Sequence, residues 1–390
     1  MKIAFIGQKG IPAISGGVEK HVEKIAVRLA AQGHDVTAYV RSHYTKPTLT
    51  HFKGVKLVHT PSFNTKHLDA LSHTFFSTLH AIFLSRYDVI HYHSIGPSTL
   101  SFLPRLLKPS ARVIATFHSR DYFHKKWSAF ARLCLRIAEY IVCTVPEKTI
   151  VISETLAAYA QKKYQKEFAL IPNGAEVEYE SDTTLLNQWG LRPSRYILSV
   201  SRLVEHKGIH YAIKAFRDLE EKSKIPNNYK LAIVGSPAHT PEYEQYLKVL
   251  GEGCDNIVFL GEQGGRNLAA LFSHAGLFVQ PSEDEGLSLA LLEAMAYGIL
   301  PITSDIPANM EAIKNGAGVS FPSKDVEALK KEFAYYINRP EEAKAIGEVA
   351  AKRAEEYYSW DAIAKRTLEV YEDILSKDHL KVPYANPQSK

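Results

Sequence analysis

Short apolar runs rich in Val, Ile and Phe alternate with amphipathic segments along most of this 390-residue chain. Such alternation is typical of parallel sheets whose strands are joined by helices that cross the faces of the sheet. Because one domain usually has about 100–150 residues, the length predicts two domains. We therefore predict an α/β fold with two doubly wound, Rossmann-like sheets.

The two series of runs are separated near Ile171-Pro172-Asn173-Gly174, where an acidic, irregular stretch at 176–194 is typical of a linker. We predict domains at 1–180 and 195–357, with residues 358–377 as a helix that the second sheet does not need. The predicted strands are 2–6, 35–40, 55–59, 88–93, 112–117, 149–152, 196–200, 230–234, 256–260, 277–280 and 300–303. The predicted helices are 17–32, 68–85, 127–141, 209–221, 243–250 and 287–296.

Composition excludes several classes of protein. Hydrophobic residues make up 45% and charged residues 23%, which is typical of a folded globular chain. No apolar run is long enough to span a membrane, and the N-terminus has no signal-peptide pattern, so we expect a cytoplasmic protein. Cys134, Cys143 and Cys254 are odd in number and far apart, so we expect three buried fillers and no metal or disulfide.

Charge is distributed unevenly along the chain. Residues 1–190 contain 23 Lys and Arg against 14 Asp and Glu, whereas residues 191–390 contain 24 against 28. A basic half can indicate an anionic partner, and a solvated basic surface is the alternative. We expect no nucleic-acid partner.

An acidic loop follows the predicted strand 277–280 and leads into the predicted helix 287–296. Glu285 and Glu293 are eight residues apart, about 12 Å along a helix, which matches a diphosphate with the groups on either side of it. The alternative is a charge at a helix N-terminus and a solvated helix residue. The first backbone N–H groups of the helix have no intrahelical acceptor and suit a phosphate. They belong to Gly286, Leu287, Ser288 and Leu289.

Two cations follow the predicted strand 196–200, again just before a helix. Arg202 offers a planar fork for phosphate oxygens, and Lys207 offers a mobile point charge. Together they suit a departing diphosphate, and a solvated basic turn is the alternative.

In the first domain, Gly16-Gly17 lies in the first strand-to-helix loop, and His118 follows the strand 112–117. Neither feature is specific alone, because tight turns favour glycine and buried histidines are common. No G-x-G-x-x-G pattern follows the first strand, so a nicotinamide enzyme is not expected. We interpret His91 and His93 as facing opposite sides of their strand, which would prevent joint metal binding.

Taken together, the motifs after these two strands resemble the donor-site signature of the retaining family-four glycosyltransferases of GT-B fold (glycosyl transferases group 1). The residues that carry the resemblance are Arg202 with Lys207-Gly208, and Glu285-Gly286 with Glu293. The resemblance runs from about Met1 to Leu375 and departs from the family pattern at Leu287, Ser288 and Ala290. It implies two Rossmann-like domains facing across a cleft, with the helix from Trp360 crossing back onto the first domain.

The resemblance also implies roles for individual residues. Arg202 and Lys207 would hold the donor diphosphate, Glu293 the ribose and Glu285 the transferred sugar, with amides near Leu287 to Leu289 assisting. His118 would line the sugar site, and Gly16 and Gly17 would contact donor or acceptor.

The predicted reaction is transfer of a sugar from a nucleotide diphosphate sugar to a saccharide or lipid-linked acceptor, with retention, in polysaccharide or glycolipid synthesis. No D-x-D pattern occurs in the chain, so we expect no metal and no obligatory cofactor. A nucleotide-sugar epimerase or a phosphorylase could use the same cleft, and a non-catalytic nucleotide-sugar sensor is a third alternative. Basic residues between 105 and 136 suggest peripheral contact with an anionic membrane on its inner face.

Overall fold

A computed structural model of the protein describes residues 1–65, 68–120, 129–237 and 240–379, with the backbone alone at 129–130 and 377–379. The chain divides into two compact units. Unit 1 comprises Met1–Pro172 and the residues from Trp360 onward, and unit 2 comprises Asn173–Ser359. Each unit is built around one sheet.

Unit 1 has an eight-stranded sheet in the order β3-β4-β2-β1-β5-β6-β7-β8, parallel except for the antiparallel pair β3 and β4. The strands are β1 (Lys2–Ile6), β2 (Asp35–Arg41), β3 (His51–Phe52), β4 (Val55–Thr60), β5 (Val89–His93), β6 (Arg112–Phe117), β7 (Lys148–Val151) and β8 (Ala169–Leu170). The helices are α1 (Gly17–Ala31), α2 (Asp69–Phe83), α3 (Ile95–Ser98), α4 (Phe102–Leu107), α5 (Ala129–Thr144) and α6 (Glu154–Tyr164).

Unit 2 has a six-stranded, wholly parallel sheet in the order β11-β10-β9-β12-β13-β14. The strands are β9 (Tyr196–Val200), β10 (Lys230–Val234), β11 (Ile257–Gly261), β12 (Leu277–Gln280), β13 (Leu300–Ser304) and β14 (Val319–Phe321). The helices are α7 (Ile209–Glu221), α8 (Pro241–Gly251), α9 (Gly265–Ser273), α10 (Leu289–Ala296), α11 (Pro307–Ala312), α12 (Val326–Ile337) and α13 (Pro340–Tyr358). This strand order is the Rossmann order.

The central strands are buried along nearly their whole length, because helices cover both faces of a doubly wound sheet. Ile3 to Ile6 of β1 and Tyr196 to Leu198 of β9 have no exposed surface. This burial explains why the strands are continuous apolar runs in the sequence, and the two-sheet prediction is confirmed.

The last described helix, α14 (Trp360–His379), belongs to unit 1. It packs on α1, where Arg28 Nε lies 2.6 Å from Asp361 Oδ1. Trp360 and Tyr371 are buried, and the Tyr371 hydroxyl lies 2.6 Å from Nδ1 of His91 on β5. The chain therefore returns to complete the first unit after building the second.

Candidate functional site

The candidate donor site lies in unit 2 where the strand order reverses, between the neighbouring strands β9 and β12. Ligands of open α/β sheets bind outside the carboxyl ends of the strands at such a switch point. The loop with Arg202 and Lys207 follows β9, and the loop with Glu285 follows β12. The two motifs found in the sequence are thus brought to one place by the topology.

The two loops are held together by their backbones. The N–H of Glu283 donates to the carbonyl of His206 at 2.8 Å. Gly208 has φ 68°, and a Cβ at this position would lie 2.0 Å from the carbonyl oxygen of Pro281. Only glycine fits this close approach, which explains the glycine that follows Lys207.

Lys207 and Glu285 form an ion pair across these loops. Lys207 Nζ lies 2.5 Å from Glu285 Oε1, and their side chains are only 14% and 9% exposed. The hydroxyl of Ser282 donates to the same carboxylate oxygen at 2.8 Å. The residue predicted to bind phosphate is therefore paired with the residue predicted to bind the sugar.

Arg202 differs from Lys207 in its surroundings. Its side chain is exposed and makes no hydrogen bond or ion pair to any residue in the described part of the chain. Its guanidinium can therefore reach a ligand without first breaking a protein contact.

A second carboxylate of the loop, Glu283, has its own partners. It accepts hydrogen bonds from the Tyr211 hydroxyl at 2.8 Å and from Lys324 Nζ at 2.9 Å. Burial would raise the pKa of Glu283, but the hydrogen bonds from Lys324 and Tyr211 outweigh it and lower that pKa. Glu283 is thus an anion engaged in structural contacts, unlike its neighbour Glu285.

The helix after the acidic loop begins later than predicted. α10 starts at Leu289, with Ser288 as its N-cap, so the predicted start at Leu287 is wrong by two residues. Glu285 therefore lies in the loop, and a helical rise does not measure its separation from Glu293. The reason is the Ser288 side chain, which accepts from the N–H of Leu291 at 3.4 Å and fixes the helix start.

A buried polar network supports this loop, and no local sequence pattern indicates it. Ser288 Oγ donates to Gln280 Oε1 at 2.6 Å, and Gln280 Nε2 donates to Asn309 Oδ1 at 2.9 Å. Asn309 Nδ2 donates in turn to the carbonyl and hydroxyl oxygens of Ser304 at 3.1 Å, and that hydroxyl donates to the carbonyl of Ser282. Both ends of the loop are thereby fixed to β12, β13 and α11.

Two further residues lie at or near the start of α10, and a third lies within it. Asn173, noted in the sequence only as part of the break, donates from Nδ2 to the carbonyl of Leu287 at 2.8 Å. The side chain of Leu287 is buried, so only its backbone is available to a ligand. Glu293 is 8% exposed, in the second turn of α10.

In unit 1, Gly16 is the N-cap of α1 and Gly17 is the first residue of that helix, after the loop that follows β1. Gly16 has φ 101°, and a Cβ there would lie 2.0 Å from Glu19 Oε2. The other oxygen of this buried carboxylate accepts from the N–H of Lys9 at 3.0 Å. The glycine therefore allows Glu19 to fold back and order the loop.

Four buried histidines cluster at the carboxyl ends of β5 and β6. The rings of His91 and His93 are 4.2 Å apart, so the prediction that they face opposite sides of the strand is wrong. Residues two apart share one face of a strand, and it is Tyr92 that points to the other face. His118 Nε2 lies 3.2 Å from His93 Nδ1, and the His21 ring stands perpendicular to that of His118.

Burial keeps these imidazoles neutral. The pKa values of His91, His93 and His118 lie well below the usual range, mainly because of desolvation and secondarily because of one another and His21. Neutral imidazole nitrogens are also metal ligands, and one ring nitrogen from each of His21, His93 and His118 lies within 4.8 Å of the other two.

The basic surface predicted in unit 1 is only partly suited to a ligand. Lys108 Nζ donates to the carbonyls of Ala81 and Ile82 at the end of α2, and Arg105 and Arg112 both lie near Glu147. These three cations therefore have structural roles. Residues 124–127, the other part of the predicted surface, lie outside the described residues.

Helix α5 presents an apolar stripe beside its arginines. Leu133, Ile137 and Tyr140 are 55%, 52% and 59% exposed, and Arg132 and Arg136 are exposed on the same helix. Cys134 is also exposed there, so the prediction that it is a buried filler is wrong, whereas Cys143 and Cys254 are buried. The sequence periodicity showed the two faces of α5 but not which one the core would cover. Among the described residues, no helix is long and apolar enough to cross a membrane.

Comparisons with known proteins agree with this architecture. The family described as Glycosyltransferase Family 4 matches residues 15–179, and Glycosyl transferases group 1 matches residues 183–353. An uncharacterized glycosyltransferase of Methanocaldococcus jannaschii is 27% identical, covering 95% of this chain and 98% of that protein. A phosphatidyl-myo-inositol mannosyltransferase of Mycolicibacterium smegmatis is 25% identical, covering 93% of this chain and 91% of that protein.

Solved structures share the fold. Sucrose-phosphate synthase from Thermosynechococcus elongatus has a TM-score of 0.81 at 22% identity, covering 96% of this chain and 99% of that one. HepE of Anabaena in complex with UDP-glucose has a TM-score of 0.77 at 18% identity, covering 96% and 100%. Because two family descriptions match consecutive parts of the chain and both units have the Rossmann architecture, the chain belongs to the family-four, group 1 glycosyltransferases of GT-B fold, which use nucleotide-sugar donors.

Proposed function

We propose that this protein transfers a sugar, with retention of anomeric configuration, from a nucleotide diphosphate sugar to a saccharide or lipid-linked acceptor in polysaccharide or glycolipid synthesis. Unit 2 binds the donor at the switch point between β9 and β12, and unit 1 serves the acceptor. The observation that carries the proposal is the Lys207–Glu285 pair, because it joins the two donor motifs in one place.

Arg202 and Lys207 act on the leaving diphosphate. Cleavage of the bond between the anomeric carbon and the phosphate oxygen develops negative charge on that phosphate, and preorganised cations stabilise it. Lys207 exchanges its ion pair with Glu285 for the phosphate, while Arg202 needs no such exchange. Backbone N–H groups near Gly286, Ser288 and Leu289 add to this anion site.

Glu285 and Glu293 bind the two ends of the donor. Once Lys207 turns to the diphosphate, the Glu285 carboxylate is released to accept hydrogen bonds from the transferred sugar. Glu293, one helical turn into α10, accepts from the ribose hydroxyls, as acidic residues do in dinucleotide sites.

Retention follows from attack on the face that the diphosphate leaves. The acceptor oxygen forms its bond to the anomeric carbon as the phosphate bond breaks, and the leaving phosphate oxygen takes the proton of the acceptor hydroxyl. The chemistry assigned to these residues requires no metal, since Arg202, Lys207 and the helix amides supply the positive charge. We therefore expect activity to survive excess EDTA, and recovery of lost activity by Mg²⁺ or Mn²⁺ would contradict this mechanism.

Donor binding and product analysis test the proposal. A panel of nucleotide sugars is screened for thermal stabilisation, since a ligand at 100 times its dissociation constant adds ~2.7 kcal/mol of stability. The stabilising donor is then incubated without acceptor. A transferase leaves it mainly intact, an epimerase interconverts donors, a phosphorylase requires inorganic phosphate, and a sensor shows no turnover with any acceptor.

We also propose that α5 meets an anionic membrane surface, where a lipid-linked acceptor would be found. Leu133, Ile137 and Tyr140 supply apolar contact, and Arg132 and Arg136 supply positive charge, each worth about 1 kcal/mol near such a surface. Sedimentation with vesicles tests this: binding should occur to anionic but not neutral lipid and should weaken with salt. Leu133→Ser with Ile137→Ser should reduce it, and Val249→Ser, at an exposed apolar position of unit 2, is the control. A protein that stays in the supernatant with both lipids would indicate a soluble acceptor.

A further inference from the structure

The histidine cluster of unit 1 contains a buried ring nitrogen whose surroundings leave it without a partner among the described residues. His93 Nε2 is buried and has no hydrogen-bond partner among the described residues. Its ring is fully buried, packed between the rings of Phe5, His91 and His21. Within the described ranges, the only hydrogen bond of this side chain joins its other nitrogen, Nδ1, to His118 Nε2 at 3.2 Å.

The geometry of that contact is that of a direct hydrogen bond. The two nitrogens are 3.2 Å apart while the ring centroids are 5.5 Å apart, so both nitrogens lie close to the line that joins the rings. A neutral imidazole has one N–H and one acceptor nitrogen, so one ring must donate and the other accept. Both rings are neutral, because burial lowers their pKa values well below the usual range.

The unsatisfied nitrogen decides which ring donates. If the proton of His93 were on Nε2, a buried N–H would be left without an acceptor, and orphaned buried N–H groups are rarer in proteins than under-used acceptors. The proton of His93 therefore belongs on Nδ1, from which it donates to His118 Nε2. His118 then carries its own proton on Nδ1.

We propose that His93 is a positioning residue that holds His118 in the Nδ1–H tautomer. The Nδ1 atom of His118 makes no hydrogen bond to any residue in the described ranges, so it is the nitrogen left for a ligand. In this tautomer it is a hydrogen-bond donor to an oxygen of the bound sugar and cannot accept a proton as a base. This deepens the proposed transfer function and rests on it, together with the role as a sugar contact that the family resemblance implies for His118.

A metal ion held by both His93 Nδ1 and His118 Nε2 would compete with this hydrogen bond. To bind one, His93 Nδ1 and His118 Nε2 would have to direct their lone pairs to a common point beside both rings. Instead they point at each other along the line between the rings, which leaves no position for an ion between them.

Nitrogen NMR of the full chain with ¹⁵N-labelled histidine tests the tautomer directly. Two-bond proton–nitrogen correlations report which ring nitrogen of each histidine carries the proton, and the spectrum of His118→Gln identifies the His118 signals. We expect the proton on Nδ1 in both His93 and His118. A proton on His118 Nε2, or loss of these N–H signals on stoichiometric Zn²⁺ binding, would overturn the proposal.

Two isosteric variants test the functional consequence. His93→Asn keeps an amide N–H near the position of Nδ1, whereas His93→Leu has the same shape without a donor. Against the stabilising nucleotide sugar, we expect kcat/KM to fall about tenfold or more in the Leu variant and to be restored to within about threefold of wild type by Asn. If the Asn and Leu variants have equal thermal stability and lose kcat/KM equally, the positioning role of His93 is contradicted.

The two readouts separate this inference from the proposed function. The NMR result needs neither donor nor turnover, so it stands if the protein transfers no sugar. If turnover is found but the proton lies on His118 Nε2, the transfer function survives and the tautomer proposal fails.

Discussion

The ion pair between Lys207 and Glu285 predicts an unusual effect of removing a charge from the donor site. In Glu285→Gln, Lys207 loses its counter-ion while the loop keeps a side chain of the same size. We expect a nucleoside diphosphate without a sugar to bind this variant more tightly than wild type. Its phosphates need Lys207, and it lacks the sugar that Glu285 is proposed to hold.

The size of the effect follows from the geometry. Opposite unit charges 2.5 Å apart attract by about 7 kcal/mol at an effective dielectric constant of 20, as an upper bound. Desolvation reduces the net value of a hydrogen bond between charged groups to about 1.5–3 kcal/mol. A glutamine oxygen still accepts from Lys207, so about half of this is regained. The other half, about 0.75–1.5 kcal/mol, is the expected gain in diphosphate binding, and it lowers Kd about 4- to 12-fold because 1.4 kcal/mol is a factor of ten.

Calorimetric titration with a panel of nucleoside diphosphates measures the change. Glu283→Gln is the matched control, because this neighbouring carboxylate binds Tyr211 and Lys324 instead of Lys207. With the intact nucleotide sugar, Glu285→Gln should lower kcat, since the sugar contact is weakened. An unchanged or higher Kd for the diphosphate in Glu285→Gln would refute the exchange of partners at Lys207.

Three other outcomes follow from the same structure. Arg202→Ala should lower kcat about 100-fold or more without a change in thermal stability, because the exposed guanidinium has no protein partner within the described ranges; near-native turnover would remove it from the mechanism. Asn309→Leu should break the hydrogen-bond network to Gln280 and Ser304 and weaken donor binding in titrations. Unchanged affinity would show that the loop after β12 keeps its conformation without this network. Burial lowers the pKa of His73 to about 3, so between pH 6.5 and pH 3 this side chain binds a proton in the unfolded chain but not in the folded protein. The free energy of unfolding is therefore unaffected by His73 above pH 6.5 and falls as the pH is lowered towards 3, by up to about 1.4 kcal/mol per pH unit. Urea unfolding from pH 7 to 5 should show this loss, and His73→Phe should reduce it.

The fold was predictable because its signals are local. A buried parallel strand is a continuous apolar run, and a surface helix repeats its apolar positions every three or four residues, so the alternation identifies both. The motifs at Arg202 and Glu285 were recognisable for the same reason, since each lies in a short stretch between a strand and a helix. β14, α12 and α13 carried weaker patterns and were not predicted, whereas α14 was predicted as the helix 358–377.

The sequence by itself determined the two-sheet class, the family and the two loops of the donor site. Only the tertiary structure decided which side chains meet. Lys207 and Glu285 are 78 residues apart, and Asn173 and Leu287 are 114 apart. The strand order and the buried backbone contacts bring such pairs together, and neither can be predicted from a local sequence pattern. The same reason explains the histidines. His93 is the last residue of β5 and His118 directly follows β6, so their contact, and the proton that we propose it positions, exists only once β5 and β6 lie side by side.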